Sequence, residues 1–383
     1  MKILFISING GLEGGANVAL FNMMKELHKR NVEVILATGS RGALTDWMEQ
    51  ENLQYFLTYH PIFYTYPSHK TLGDMLYYPI ELVKRLISNK INTKQVCKII
   101  KQTNPDIVHT NVSPIYYGYL AAKKCGIAHV WHIREFLDIG LGMTFIPCNR
   151  ILRQKWENSY TISISEEIAK HFERKRVGKD FVLIDGVMSE KEIIYNSQKK
   201  EYFLFVGRLS EQKGCNDLIE AYSKYISISS SETELWIAGV GNDDYEKSLH
   251  NLVKKRQLED RVKFLGFRSD RYKLMSEAKA LIVPSYNEGF GFITVEAIMN
   301  GCPVIGRYTA GTKLILDSVK GTEWSFTNID ELVQCMLELS KVNIQEIENR
   351  LLSAQEIARN LFSTESNCDN LMRIYTSILE KEK

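Results

Sequence analysis

The sequence predicts an α/β protein of two tandem domains, each a parallel sheet with helices on both faces. Three observations predict it. The chain has 383 residues, more than the ~250–300 at which a single hydrophobic core stops growing. Short apolar runs alternate with helical patterns, and the alternation is played out twice along the chain. With 44% hydrophobic and 25% charged residues, the composition supplies an ordinary globular core and excludes bulk disorder.

The first series of strands is expected at 2–8, 32–38, 106–109, 128–132, 160–164 and 181–184. These runs are continuously apolar, the pattern of strands buried on both faces. After the first, Ala16, Ala19, Leu20, Met23, Met24 and Leu27 recur at i, i+3, i+4 spacing and mark a helix. The stretch 59–81 is aromatic, contains Pro61, Pro67 and Pro79, and reads as an irregular loop or lid. A basic helix carrying Lys84, Arg85, Lys90, Lys94, Lys98 and Lys101 follows it. The second series is expected at 202–206, 234–238, 261–264, 280–283 and 303–306, with helices near 215–227 and 244–257. A polar stretch over 186–200 separates the two. The domains are therefore expected at 1–187 and 188–364, with 365–383 a final helix packing back on the first.

MKILFISING reads as a buried strand rather than a signal peptide, because Ser7 and Asn9 interrupt it and no small-residue cleavage site follows. No run of ~18 apolar residues is present to span a membrane. The seven cysteines are scattered without a CxxC, which points to a reduced, cytoplasmic setting and away from a disulfide framework or a zinc site. Residues 1–185 carry 23 Lys and Arg against 17 Asp and Glu; the remainder carries 25 against 29. The basic first half, with its basic helix, suits either anionic lipid at the inner face of a membrane or plain solvent. Nothing points to nucleic acid.

In open parallel sheets ligands bind beyond the carboxyl ends of the strands. The segments that fall there are Gly10–Gly15, His109, His132 and Ser165 in the first domain, and Gly207–Arg208, Gly239–Gly241, Gly266 and Ser285–Gly291 in the second. They imply a ligand cleft between the domains. Gly14 and Gly15 precede a helix, so their backbone suits either a phosphate or a tight turn. The spacing is neither G-x-G-x-x-G nor a P-loop. In FVGRLSEQKG, Arg208 and Lys213 share one loop and suit a diphosphate leaving group, though two solvated surface cations would look the same. In PSYNEGFGFITVEAI, Glu288 and Glu296 bracket a glycine-rich turn and a helix start. Glu288 can accept from sugar hydroxyls or be a solvated turn residue, Glu296 can accept from a ribose or answer the helix dipole in a first turn, and the helix N-terminus suits a phosphate; the combination favours the ligand readings. His132 ends a strand, where it can meet a ligand or be satisfied by backbone; His109 is read as structural. Asn242 and Asp243 read as helix caps. No DxD is placed to hold a metal, and no cofactor is expected.

These segments, in this order, resemble the large retaining glycosyltransferase family four: NGGLEGGAN, HTN, HIRE, ISISEEIAKHF, FVGRLSEQKG, KFLGF and EGFGFITVEAI. The resemblance runs over about residues 1–310, and the pair Glu288/Glu296 matches the family's E-x7-E signature. It implies the GT-B architecture, with the nucleotide-sugar donor held mainly by the C-terminal domain and a glycan or lipid-linked acceptor by the N-terminal one. By position, the catalytic group would be His132, Glu288, Arg208 and Lys213. The donor would also meet Gly14, Gly15, Gly207, Gly266, Phe267, Gly289, Phe290, Gly291, Phe292, Ile293, Thr294 and Glu296. Arg208 and Lys213 would take the diphosphate, Glu288 the sugar, Glu296 the ribose, and Gly266 with Phe267 the base. Asp185 stands where the family usually has asparagine, and Lys313 where glutamate is common. A nucleotide-sugar-binding subunit without turnover, or a sugar-nucleotide epimerase, remain as other readings of the same residues.

Overall fold

The KILFI run forms strand β1 (Lys2–Ile6), and its alternation shows why the sheet is covered twice. Ile3 and Phe5 point to one face and Leu4 and Ile6 to the other, and all four are fully buried. The computed structural model of the chain describes residues 1–382 apart from 13–14, 60, 63–64, 68–71, 137, 139–142, 146–148, 287, 289 and 321–322. It comprises two compact units, 1–186 with 364–383, and 187–363.

In the first unit β1 is followed by α1 (Gly15–Lys29), β2 (Glu33–Thr38), α2 (Ala43–Gln50), β3 (Tyr55–Leu57) and β4 (Thr65–Pro67). Then come α3 (Leu72–Thr103), β5 (Ile107–Thr110), α4 (Tyr117–Cys125), β6 (Ala128–Ile133) and β7 (Met143–Phe145). The series closes with α5 (Asn149–Glu157), β8 (Tyr160–Ser163), α6 (Glu166–His171) and β9 (Asp180–Val182). The main sheet is parallel throughout, in the order β3-β2-β1-β5-β6-β8-β9. One face packs on Leu20, Met23, Met24 and Leu27 of α1 and on Leu44, Trp47 and Met48 of α2. The same face takes Leu371, Ile374, Tyr375 and Ile378 of the C-terminal helix α14 (Thr364–Glu382). The other face packs on Val96, Ile99 and Ile100 of α3 and on Tyr117, Ala121 and Ala122 of α4.

The second unit begins with β10 (Lys200–Val206), α7 (Cys215–Ile228), β11 (Glu234–Ala238), α8 (Asp243–Lys255) and β12 (Val262–Gly266). It continues with α9 (Arg271–Glu277), β13 (Ala278–Val283), α10 (Phe292–Met299), β14 (Val304–Arg307), α11 (Ala310–Val319), β15 (Glu323–Phe326), α12 (Ile329–Lys341) and α13 (Ile344–Phe362). Its sheet is also parallel, in the order β12-β11-β10-β13-β14-β15. Numbered within the unit this is 3-2-1-4-5-6, the doubly wound order, so the winding reverses between β10 and β13. Tyr222 and Tyr225 of α7, Leu249 of α8 and Met336 of α12 bury one face of it against Phe203, Ile237, Ile282 and Ile305.

The structure departs from expectation at 59–81. Much of that stretch is not loop, because α3 begins at Leu72 and carries Pro79 inside it. Proline removes one helical hydrogen bond, but the buried face formed further along by Val96, Ile99 and Ile100 holds the rest of a 32-residue helix in place. The segment Thr65–Pro67 pairs antiparallel with Met143–Phe145. The strands β3 and β15 were also not foreseen. They are short edge strands of three and four residues, and edge strands lack the continuous apolar run that marks a central one. Asn242 caps α8 as expected, its side chain accepting from the Tyr245 amide at 2.8 Å.

Candidate active site

At the reversal point of the second unit two loops leave adjacent strands and meet. The first follows β10 through Gly207 and Arg208 to a single 3-10 turn, Glu211–Lys213, ended by Gly214. The second follows β13 through Pro284 to Gly291 and into α10. The amide of Tyr286 donates to the Gln212 carbonyl at 3.0 Å. Gly214 lies so close that a Cβ there would stand 2.2 Å from the Pro284 oxygen, and its φ of +69° already favours glycine. Lys213 Nζ reaches Glu288 Oε1 at 2.6 Å, with the two side chains 31% and 13% exposed. Cation and carboxylate, 75 residues apart in sequence, therefore share one spot. Arg208, earlier in the same loop as Lys213, is exposed and, among the described residues, makes no ion pair.

The turn that carries Glu288 is anchored from behind. The Gly311 amide donates to the Glu288 carbonyl at 2.9 Å. Phe290 is buried, edge-on to Phe292 at 5.3 Å and to Phe362 at 6.0 Å. Its ring belongs to the core, so only its backbone is free for a ligand. Gly291, at φ +96°, opens α10 without a side-chain cap. A helix start leaves its first amides without internal partners and carries about half a positive charge. Among the described residues the Phe292 and Ile293 amides have no partner, whereas the Thr294 amide bonds back to Gly291 at 2.9 Å. Thr294 Oγ1 is buried with no hydrogen-bond partner. Gly289 lies outside the described residues.

Glu296 is 7% exposed, and a carboxylate so buried needs a partner. It has one that sequence reasoning missed. Arg271, the first residue of α9, donates from Nε to Oε2 and from NH2 to Oε1, both at 3.1 Å. Tyr272 Oη stands 3.5 Å from Oε1. Nothing in the spacing of Arg271 and Glu296 signals this fork, because α9 and α10 meet only in the folded unit. Gly266 ends β12 at φ +62°, and Phe267 after it is 76% exposed. The Gly239 amide donates to the Gly266 carbonyl at 2.8 Å, so this pair stands on the same carboxyl edge.

The first unit presents a second edge. Gly14 lies outside the described residues, and Gly15 is the exposed first residue of α1. The loop before it is pinned by Asn17, whose Nδ2 donates to the Gly11 carbonyl at 2.8 Å and to Asn9 Oδ1 at 2.5 Å. His132, at the end of β6, has no exposed surface. Its Nδ1 faces His109 Nε2 at 3.2 Å and Arg134 NH2 at 3.3 Å, and its Nε2 has no partner. His109 Nδ1 meets Tyr375 Oη of α14 at 2.6 Å. Burial, then the charge of Arg134, then another histidine (His129 for His109, His109 for His132) push both imidazoles well below the usual histidine range, so both are neutral. Arg134 is itself buried, donating to Asn111 and ion-paired to Asp185. Aspartate at 185 thus supplies the counter-charge that asparagine would not. Lys313 bonds Asp317 on its own helix at 2.6 Å and sits over the Tyr308 ring. Among the described residues no cluster of His, Cys, Asp and Glu is placed to hold a metal ion.

Two parallel α/β units, the second with cations, a carboxylate and an uncapped helix start gathered at its switch point, define the GT-B class of fold. Residues 13–184 match the sequence family described as Glycosyltransferase Family 4, and residues 188–351 match that described as Glycosyl transferases group 1. The chain belongs to the family-four glycosyltransferases. The glycosyltransferase MJ1178 of Methanocaldococcus jannaschii is 26% identical over 301 residues, 77% of this chain and 82% of its own. The O-antigen chain mannosyltransferase RfbU of Salmonella typhimurium is 27% identical over 234 residues, 60% of either chain. The chain thus spans less than two thirds of that relative. The crystal structure of Anabaena HepE in complex with UDP matches 98% of this chain and 100% of its own, with a TM-score of 0.74 at 21% identity. Among the described residues, no helix is long and apolar enough to cross a membrane.

Proposed function

We propose that this chain moves a sugar from a nucleoside diphosphate sugar to a glycan or lipid-linked acceptor in cell-surface polysaccharide assembly, with retention of anomeric configuration. The observation that carries the reading is the meeting of Lys213 and Glu288 at 2.6 Å beside the start of α10. A diphosphate bound there draws Lys213 from Glu288, meets Arg208, and takes the Phe292 and Ile293 amides. Glu288, released, accepts from hydroxyls of the transferred sugar. The ribose hydroxyls donate to Glu296, which Arg271 holds in place, and the base lies along Gly266 and Phe267. The acceptor belongs to the N-terminal unit.

As the glycosidic bond breaks, negative charge grows on the departing phosphate. Fixed cations and amides stabilise that charge more than they stabilise the bound donor, which is what accelerates a reaction. They neutralise the diphosphate by themselves, so the scheme calls for no metal ion. The scheme assigns no carboxylate as a nucleophile, so it does not follow the double-displacement route of retaining hydrolases. The acceptor hydroxyl attacks instead from the leaving-group side of an oxocarbenium-like state, and the phosphate oxygen takes its proton. The resemblance to RfbU, an O-antigen mannosyltransferase, and to HepE, which binds UDP, sets the substrate class to try first.

The experiment is a thermal-shift panel of UDP-, GDP- and ADP-sugars, followed by transfer assays with the donor found. A donor at a hundred times its Kd should add ~2.7 kcal/mol of stability. Glu288→Gln and Lys213→Ala should each lower transfer by ~10²–10³, EDTA should leave it unchanged, and NMR of the product should show the donor's anomeric configuration. An inverted product ends the retaining mechanism. A stabilising donor with no transfer makes the chain a binding subunit, and an isomerised free sugar makes it an epimerase.

A second reading concerns where the protein works. Along α3, Ile80, Val83, Ile87, Lys90, Lys94, Lys98 and Lys101 follow one another at steps of three and four, so they form a single stripe. Ile80, Val83 and Ile87 are 55%, 53% and 50% exposed, and the lysines at 90, 94 and 98 are exposed too. Apolar side chains at one end and cations along the rest fit an anionic bilayer surface. Lys84 and Arg85, by contrast, are drawn to Glu81 on their own helix. Exchanging Val83 and Ile87 for Ser together with Lys90 and Lys94 for Glu should abolish binding to phosphatidylglycerol vesicles and spare thermal stability. Undiminished binding would refute the surface role.

A further inference from the structure

The cysteines follow no paired spacing along the chain, yet the fold brings two of them together. Cys215, Cys302, Cys335 and Cys368 are buried, the ordinary condition of a free cysteine used as a small apolar side chain. Cys148 lies outside the described residues. Among the described residues, Cys97 and Cys125 are the half-buried ones, and both are free thiols. They sit on neighbouring helices of the first unit, Cys97 on α3 and Cys125 at the end of α4. Cys97 Sγ points across the gap to the Ala121 carbonyl at 3.8 Å. Ala121 is one helical turn before Cys125, so the two share a face of α4. The Cys125 thiol is in turn a hydrogen-bond partner of Cys97. Both cysteines flank the same apolar cluster, which includes Val96, Ile100, Ala121 and Ala122. Burial, and then the bond to Cys125, raise the Cys97 thiol above the usual thiol range, while the charges of Lys124 and Lys101 pull it the other way.

We propose that Cys97 and Cys125 form a reversible modification site, a dithiol that a small-molecule disulfide converts into a cross-link tying α3 to α4. The step needs no other reagent. One thiolate of the pair attacks a sulfur of the reagent, RSSR, and expels RS⁻. The neighbouring thiolate then attacks the protein sulfur of that mixed disulfide and expels the second RS⁻. Each cysteine gives up its proton and one electron, and the reagent takes both electrons and leaves as two RSH. Cys97, whose thiol is held up by burial, suits the second attack, which is intramolecular; Cys125 meets the reagent first. The four buried cysteines have no such access, because a thiol closed into an apolar core is inert. The consequence is mechanical. The cross-link closes the stretch from 97 to 125, which holds the whole of β5, into a loop. Closing a loop removes conformations from the unfolded chain and so favours the folded one. The site lies within the first unit and does not depend on what the chain transfers.

The test uses the whole, unaltered chain with oxidised glutathione as the reagent. After incubation the remaining thiols are alkylated, and the digested protein is read by mass spectrometry. One peptide pair should be joined through Cys97 and Cys125, lighter than the two separate peptides by two hydrogen atoms. Dithiothreitol should restore both thiols. Thermal unfolding of the oxidised chain should show a Tm higher than the reduced chain's by roughly 5 °C, and the rise should vanish on reduction. Two variants separate the chemistry from any loss of fold. Cys97→Ser, with an unchanged Tm under reducing conditions, should show no oxidative rise and should end as a glutathione adduct on Cys125. Cys125→Ser should resist the reagent. Separate glutathione adducts on Cys97 and Cys125 with no cross-link would overturn the proposal. So would a cross-link that forms only once the chain is unfolded in urea, because the pairing would then owe nothing to the fold.

Discussion

Among the described residues of the first unit His109, His129 and His132 are buried, and each shapes how the protein answers to acid. His129 bonds Ser159 and Thr110, and burial pushes it down to about 3. Burial first, and then the nearby charge of Arg134, also lower His109 and His132. All three have folded pKa values below the ~6.5 of an unfolded chain, so below that pH the unfolded state binds protons the folded state refuses. Stability is then complete above about pH 6.5 and falls as the pH drops, by up to ~1.4 kcal/mol per pH unit for each histidine. Urea denaturation at pH 7, 6 and 5 should show the midpoint falling across this range, and a midpoint that stays flat would contradict it. Two ion pairs, one in each unit, follow another rule. Lys213 with Glu288 is accessible and exchangeable, whereas Arg134 with Asp185 is closed in and leaves either charge uncompensated if its partner is removed.

At the scale of elements, the site depends on how tightly two loops approach. Gly214 and Gly266 both sit in the left-handed region, at φ +69° and +62°. A Cβ at Gly214 would run into Pro284, while at Gly266 it would meet nothing within 4 Å. Gly266→Ala should therefore cost only the ~1 kcal/mol or so of an unfavourable backbone. Gly214→Ala adds the overlap, ~1–3 kcal/mol more, and by prising apart the loops that carry Lys213 and Glu288 it should also abolish the donor's thermal shift. Thermal unfolding of the two variants, with and without donor, checks this; equal behaviour would mean the loop contact does not build the site. The central strands and helices were legible in the sequence because their signal is periodic. Ile3 to Ile6 alternate between two buried faces, and α1 repeats its apolar residues every turn. The segment at 59–81 misled because its prolines and aromatics look like loop, yet from Leu72 onward it is helix. The strands β3 and β15 carry no such periodic run and emerge only by pairing with β2 and β14.

For the molecule as a whole, sequence by itself determined the class. Two rounds of apolar strands and amphipathic helices leave few ways to bury both faces of a strand except parallel sheets covered twice. It also marked which loops leave the carboxyl ends of the strands, where ligands gather in sheets of this kind, and Arg208, Lys213 and Glu288 lie in two of them. Tertiary structure decided what those residues do to one another. That Lys213 meets Glu288, that Arg271 forks onto Glu296, and that Tyr375 reaches His109 are contacts across 75, 25 and 266 residues. The reason is physical. Secondary structure is written in short-range periodicity, which a linear pattern records, whereas a buried charge or a tautomer is set by whichever group the fold brings within about 3 Å of it, and no spacing along the chain encodes that distance.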